Sequence, residues 1–161
     1  MPVQITCETR AGRPYVASLA GDARRLLREC GFKTAELSLL ITDDARIRAL
    51  NHEFRHKDRA TDVLSFALSE QPPEGGVTNG AAPQLLGDIV ISLDTAERQA
   101  RTAGIAVAER LRALLIHGLL HLLGYDHERS RNDARIMFRR ERELRAVLDK
   151  PGRAGRPFPP P

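Results

Sequence analysis

Apolar residues fall into four short runs with strand character, and between and after those runs they recur every three to four residues. Val3 to Glu8 and Glu36 to Ile41 read as strands, Val63 to Ala67 as a shorter third, and Leu86 to Ser92 as a fourth with apolar alternation. The helical period runs from Pro14 to Cys30, with Val16, Leu19, Ala23, Leu26 and Leu27 on one side. It returns behind a cap at Thr42 or Asp43 and continues to Phe54, with Ile47, Leu50 and Phe54 as its stripe. Three more helices are predicted, over Asp94 to Ala103, Val107 to Leu123 and Asn132 to Leu148. In the last of these, Ile136, Phe138, Leu144, Val147 and Leu148 are expected to face the fold. Ser69 to Gln84, rich in Pro, Gly and small polar residues, is expected to be a mobile loop, and 150–161 a disordered Pro/Arg tail. The order βαβαββ, closed by a helical second half, predicts a single α+β domain over 1–149, a small mixed four-stranded sheet packed with about five helices.

Composition narrows the setting. Hydrophobic residues make up 42% and charged residues 29% of the 161, ordinary for a globular domain. The densest apolar stretch, Leu111 to Leu123, is short and interrupted by Arg112 and two histidines, so no membrane partner is expected. The N-terminus lacks a basic region followed by an apolar core, and Cys7 and Cys30 have the spacing of free, buried thiols. A cytoplasmic location follows as the expectation. The net charge of +4 is uneven: from Glu128 onward ten Lys or Arg stand against five Asp or Glu. Arg135, Arg139 and Arg142 belong to this basic helix. It reads either as a solvated face supported by a Glu141–Arg145 pair or as a phosphate contact for RNA.

One run names a chemistry. His117, His121 and His127 have the spacing H-x3-H-x5-H, and on a helix the first two lie one above the other on a single face, within reach of one ion. Gly124 can take the left-handed conformation that ends the helix and brings His127 back as a third ligand at the helix end. Three neutral imidazoles with an open fourth position describe a catalytic zinc, although nickel, copper and iron also accept imidazole. Such an ion lowers the pKa of bound water to about 7. Zinc peptidases with the pattern H-E-x-x-H carry a glutamate as general base directly after the first histidine. Here that residue is Gly118, which cannot take a proton.

The segment His117 to His127 resembles the H-G-x-L-H-L-x-G-Y-D-H signature of the YbeY family, bacterial metal-dependent endoribonucleases of ribosomal RNA maturation. Leu50 to Phe66 is similar to that family's L-N-x-x-[YF]-R-x-K-D-x-P-T-D-V-L-S-F stretch, and Leu86 to Ser92 to its L-G-D-I-x-I-S strand. The chain departs from the pattern at Ala60 and Ala67, where the family commonly has proline. The resemblance implies a metal-dependent endoribonuclease specific for single strands, acting in rRNA processing at the 3′ end of 16S rRNA, in ribosome biogenesis and in ribosome quality control. It implies one zinc ion per chain held by His117, His121 and His127, with Arg55 and His117 as catalytic residues. RNA and the small ribosomal subunit are the implied partners, with ribosome-associated proteins as further candidates. Two alternatives stand beside it: a metalloprotease-like hydrolase that draws its base from elsewhere, and a ribosome-assembly factor that holds the metal for structure.

Other polar residues have competing readings. Arg55 can hold a phosphate bidentately, or it can end its helix at the surface or pair with Asp58 or Asp62. Asp126 can orient an imidazole or shape a turn. His52 and His56 read as surface residues, with His56 a candidate to face RNA, and Asp88 as a buried partner of backbone. Thr61 and Ser65 can bond backbone or phosphate, and no general base is identified.

Overall fold

The computed structural model describes residues 3–68 and 85–150. The expected loop Ser69 to Gln84 and the tail from Pro151 to Pro161 lie outside the described residues. Within them the chain forms, in order, β1 (Val3–Cys7), α1 (Val16–Glu29), β2 (Glu36–Thr42), α2 (Asp44–Arg55), β3 (Val63–Ala67), β4 (Leu85–Ser92), α3 (Leu93–Ala103), α4 (Val107–Leu122) and α5 (Arg131–Asp149). The sheet order is β1-β2-β4-β3, with β1, β2 and β4 parallel and β3 antiparallel to β4. The α+β fold expected from the pattern is therefore present. Expected helix starts shift by a few residues: Pro14 lies in a 3-10 turn, Arg10–Tyr15, and α1 begins only after it. Asp43, not Thr42, caps α2, its carboxylate accepting from the Arg46 amide at 2.8 Å.

Strand alternation divides the apolar residues between two faces. Leu37, Leu39, Ile41, Ile89 and Ile91 enter the main core with Leu19 and Leu26 of α1 and Leu111, Leu115 and Leu119 of α4. On the opposite face Val90 and Leu64 meet Ile47 of α2, with Leu40, Leu50 and Phe66 packed around them. This lighter cover corrects the expectation for Asp88. Its side chain is exposed, not buried, and lines an open groove of about 560 Å³ between the sheet and α2. Cys7 and Cys30 are free, as expected, but half-buried.

The last helix also differs from its predicted stripe. Met137, Leu144 and Leu148, spaced i, i+7, i+11, are buried, whereas Ile136 and Phe138 are 36% and 48% exposed. A helix has room for one core-facing line, and Met137 at its centre turns its two neighbours about 100° to either side. The end of α5 is tied down by Arg25 of α1, which donates to the carbonyls of Val147 at 2.7 Å and Lys150 at 2.9 Å. Arg112, the charge within the apolar α4, bonds Asp22 at 3.1 Å and Asp149 at 3.3 Å. Burial pushes the Asp22 carboxyl above its ordinary pKa, and Arg112 opposes this in part.

Gly87 explains the glycine in the fourth strand. Its φ is 143°, and a Cβ there would lie 2.2 Å from the carbonyl oxygen of Phe66 on β3. It also adjoins the register shift between Glu36 and Leu37 on β2. Gly87→Ala is expected to destabilise the protein by about 3 kcal/mol, combining backbone strain and overlap. Urea unfolding reads this as a lower midpoint with an unchanged slope.

Candidate metal centre

His117 and His121 occupy a half-exposed strip of α4, whose adjoining faces bury Leu114, Leu115, Ile116, Leu119, Leu120 and Leu122. The helix closes in a two-bond cap: the Tyr125 amide donates to the Leu120 carbonyl at 3.0 Å and the Gly124 amide to that of His121 at 3.1 Å. Gly124 takes φ 97°, the positive value that this reversal requires. Asp126 then accepts from the Glu128 amide at 2.9 Å and pairs with Arg129 at 3.6 Å. It shapes the turn that carries His127 back, which decides between its two readings.

The result is a cluster. The three ring centroids are 4.7, 5.3 and 5.4 Å apart, and one donor atom from each lies within 4.8 Å of the others. Nε2 of His117 and Nε2 of His121 are separated by 3.2 Å. Two nitrogens bound tetrahedrally to zinc at 2.0–2.1 Å would be about 3.3 Å apart, so this pair has the spacing of ligands to one ion. The Nδ1 atom of His127 is buried without a hydrogen-bond partner, a polar atom that the surrounding protein does not satisfy. Burial, followed by the neighbouring His117 and His127, pushes the His121 pKa below its ordinary value, which favours the neutral imidazole that a metal needs. Among the described residues the cluster holds three side chains and no thiolate.

The Glu141–Arg145 pair that supports the solvated-face reading of this helix is not formed. Glu141 lies on the buried line of α5, between Met137 and Leu144, and its Oε1 accepts from Nδ1 of His117 at 2.7 Å. Arg145 instead pairs with Glu109 of α4. Because a carboxylate accepts and does not donate, the neutral ring of His117 has its proton on Nδ1 and its lone pair on Nε2, toward His121. The signal was available: an acid placed four residues after Met137 and three before Leu144 shares their core-facing side.

Gly118 and Ser65 set how α4 meets the sheet. A Cβ on Gly118 would be 2.9 Å from Cγ2 of Ile89 and 3.2 Å from Oγ of Ser65, so residue 118 faces the sheet and has no space for a side chain. Ser65 donates to the Gly118 carbonyl at 2.9 Å, and its own carbonyl accepts from the Arg55 guanidinium. Arg55 also lies over the Phe66 ring, 5.5 Å from its centroid. It pairs with neither acid proposed for it. Asp58 is bonded by Arg48 at 2.8 Å, and Asp62 by Gln99 at 3.2 Å and Arg110 at 3.3 Å.

Arg55 and the three histidines thus line one open cavity of about 780 Å³, together with Lys57, Thr61 and Ser65. The chain turns at His56, whose φ of 58° makes it the one non-glycine residue with positive φ among the described residues. Buried Asn51 secures the turn by donating to the Arg59 carbonyl at 2.9 Å. His52 and His56 are exposed and do not line the cavity.

Comparison with known proteins covers most of this architecture. The family model described as "Endoribonuclease YbeY" matches residues 14–149, reaching well beyond the three motifs. A protein described by that name from Anaeromyxobacter sp. (strain Fw109-5) is 53% identical over 144 residues, spanning 89% of this chain and 70% of that protein. Relatives with the same description from Geobacter metallireducens and Geobacter sulfurreducens are 48% and 47% identical, covering 81% and 94% of this chain and 84% and 99% of their own lengths. The solution structure of TM1509 from Thermotoga maritima matches with a TM-score of 0.65 at 24% identity, over 91% of this chain and 89% of that one, and shows a shared fold.

An ion held by the cluster is expected to respond to Glu141. Glu141→Gln should weaken zinc affinity by about 10- to 100-fold in competition with a chromophoric chelator. Arg142→Gln, on the outward face of the same helix, should leave it unchanged.

Proposed function

The chain belongs to the endoribonuclease YbeY family, and from that membership we propose that it is a metal-dependent hydrolase that cuts phosphodiester bonds within single-stranded RNA. Its place is in ribosomal RNA processing, at the 3′ end of 16S rRNA, and in ribosome biogenesis and quality control, with the small ribosomal subunit as partner and the cytoplasm as compartment. Among the described residues no helix is long and apolar enough to cross a membrane.

The observation that carries this reading is the convergence of three imidazoles in the cavity that also holds Arg55. In the proposal His117, His121 and His127 bind one zinc ion. When bound, such an ion supplies Lewis acidity, enough to bring the pKa of water near neutrality and to polarise a phosphoryl oxygen. The protein's own contributions are positional. Glu141 fixes the His117 tautomer, and the helix cap at Gly124 fixes the approach of His127. Arg55 spends one donor on Ser65 and keeps others for the non-bridging oxygens of a phosphate, where its charge is permanent.

Two features weigh against the alternatives. A peptidase would need a glutamate at Gly118, which faces Ile89 and Ser65 at distances that leave no room for it. A structural site would need a fourth protein ligand, and the cluster has three among the described residues.

Arg55→Ala is expected to lower cleavage of an unstructured rRNA fragment by at least about 100-fold while zinc content stays at one ion per chain. Retained cleavage would remove Arg55 from the mechanism. His121→Ala should lose both zinc and cleavage yet keep the native circular dichroism spectrum; an unfolded variant would favour the structural reading. Unstructured peptides should remain uncut by the zinc-loaded protein.

A further inference from the structure

We propose that the outward face of α5 is a track for single-stranded RNA leading to the histidine cluster, an inference that rests on the ribonuclease reading above. Arg131, Arg135, Arg139 and Arg142 are exposed, and among the described residues none has a hydrogen-bond or ion-pair partner. Their spacing of i, i+4, i+8 and i+11 places them along one side of the helix. The acids of α5 do not neutralise them, because each is engaged elsewhere. Asp133 pairs with Arg129, Glu141 with His117, Glu143 with Arg140, and Asp149 with Arg112. What remains is a line of free guanidiniums on a helix whose inner side is attached to the metal centre.

Phe138 gives this line a direction and a preference. It lies at the edge of the arginine side, 48% exposed, with its ring centroid 6.5 Å from that of His127. An exposed aromatic ring bordering cationic side chains is the arrangement that holds a single strand, with phosphates on the arginines and an unstacked base on the ring. A duplex keeps its bases stacked and cannot offer one to Phe138. The track would therefore deliver single-stranded RNA to the side of the cavity that His127 occupies.

The test uses zinc-loaded, full-length protein and a fluorescein-labelled unstructured RNA oligonucleotide, followed by anisotropy over a range of salt concentrations. For the triple variant Arg135→Gln, Arg139→Gln, Arg142→Gln the slope of log K against log salt should fall by about 2, with affinity at 0.1 M salt reduced about 100-fold. Phe138→Ala should weaken binding of the single strand without changing the slope, and leave binding of a duplex of the same sequence unaltered. Unchanged affinity and slope in the triple variant would overturn the track. A slope that falls equally for both RNAs, with no effect of Phe138→Ala, would overturn the single-strand assignment. Cleavage of the same oligonucleotide by the unmodified protein reports separately on the function: binding through the arginines without cleavage would sink the ribonuclease reading and leave the track standing.

Discussion

A helix can lie no closer to a sheet than the side chains between them allow, and Gly118 removes that limit where α4 meets β3 and β4. The close approach lets Ser65 bond the Gly118 carbonyl directly, and the same serine presents its own carbonyl to Arg55. A short chain of contacts, Arg55 to Ser65 to Gly118, thereby joins the end of α2 to the helix that carries the histidines. Gly87 applies the same principle one strand over. Its missing side chain lets the Phe66 carbonyl and Leu122 come within distances that a Cβ would occupy. Two glycines therefore set the depth at which α4 is seated, and the cavity follows from it.

The electrostatic design separates inside from outside. Half-buried, His121 is held toward its neutral form by burial and by the other two rings, so the cluster favours a cation without first accumulating protons. Among the described residues Glu141 supplies the one carboxylate hydrogen-bonded to the cluster, through His117. On the reverse of the same helix Arg131, Arg135, Arg139 and Arg142 project outward, and among the described residues none is paired with an acid. One element thus serves a metal with its inner line and suits a polyanion with its outer one.

The sequence was most legible where periodicity and chain-local chemistry coincide. The strands and helices announce themselves through local periodicity, and the return of His127 after Gly124 through a cap made within a few residues, so spacing carries the information. The errors have a common cause in tertiary contacts. Ile136 and Phe138 were placed inward because they are apolar, but Met137 lies between them and the helix can bury only one of these directions. Asp88 was expected to be buried because its strand is apolar, but among the described residues the face it points to is covered only by α2. Glu141 was paired with its neighbour in sequence, whereas its partner lies 24 residues earlier on another helix. For Arg55 the motif identified the residue, and only the structure shows that Arg48, Gln99 and Arg110 hold the two acids of its competing structural reading.

The Glu141–His117 bond also imposes an order in time. Synthesis runs from the N-terminus, so the ring of His117 is made before the carboxylate that sets its tautomer. The 19 residues of α5 then take about one to four seconds to add. During that interval the chain holds all three histidines, on α4 and the turn that follows it, while α5 does not yet exist. The metal centre is therefore finished by the docking of the last helix, which makes its completion a report that nearly the whole domain has folded.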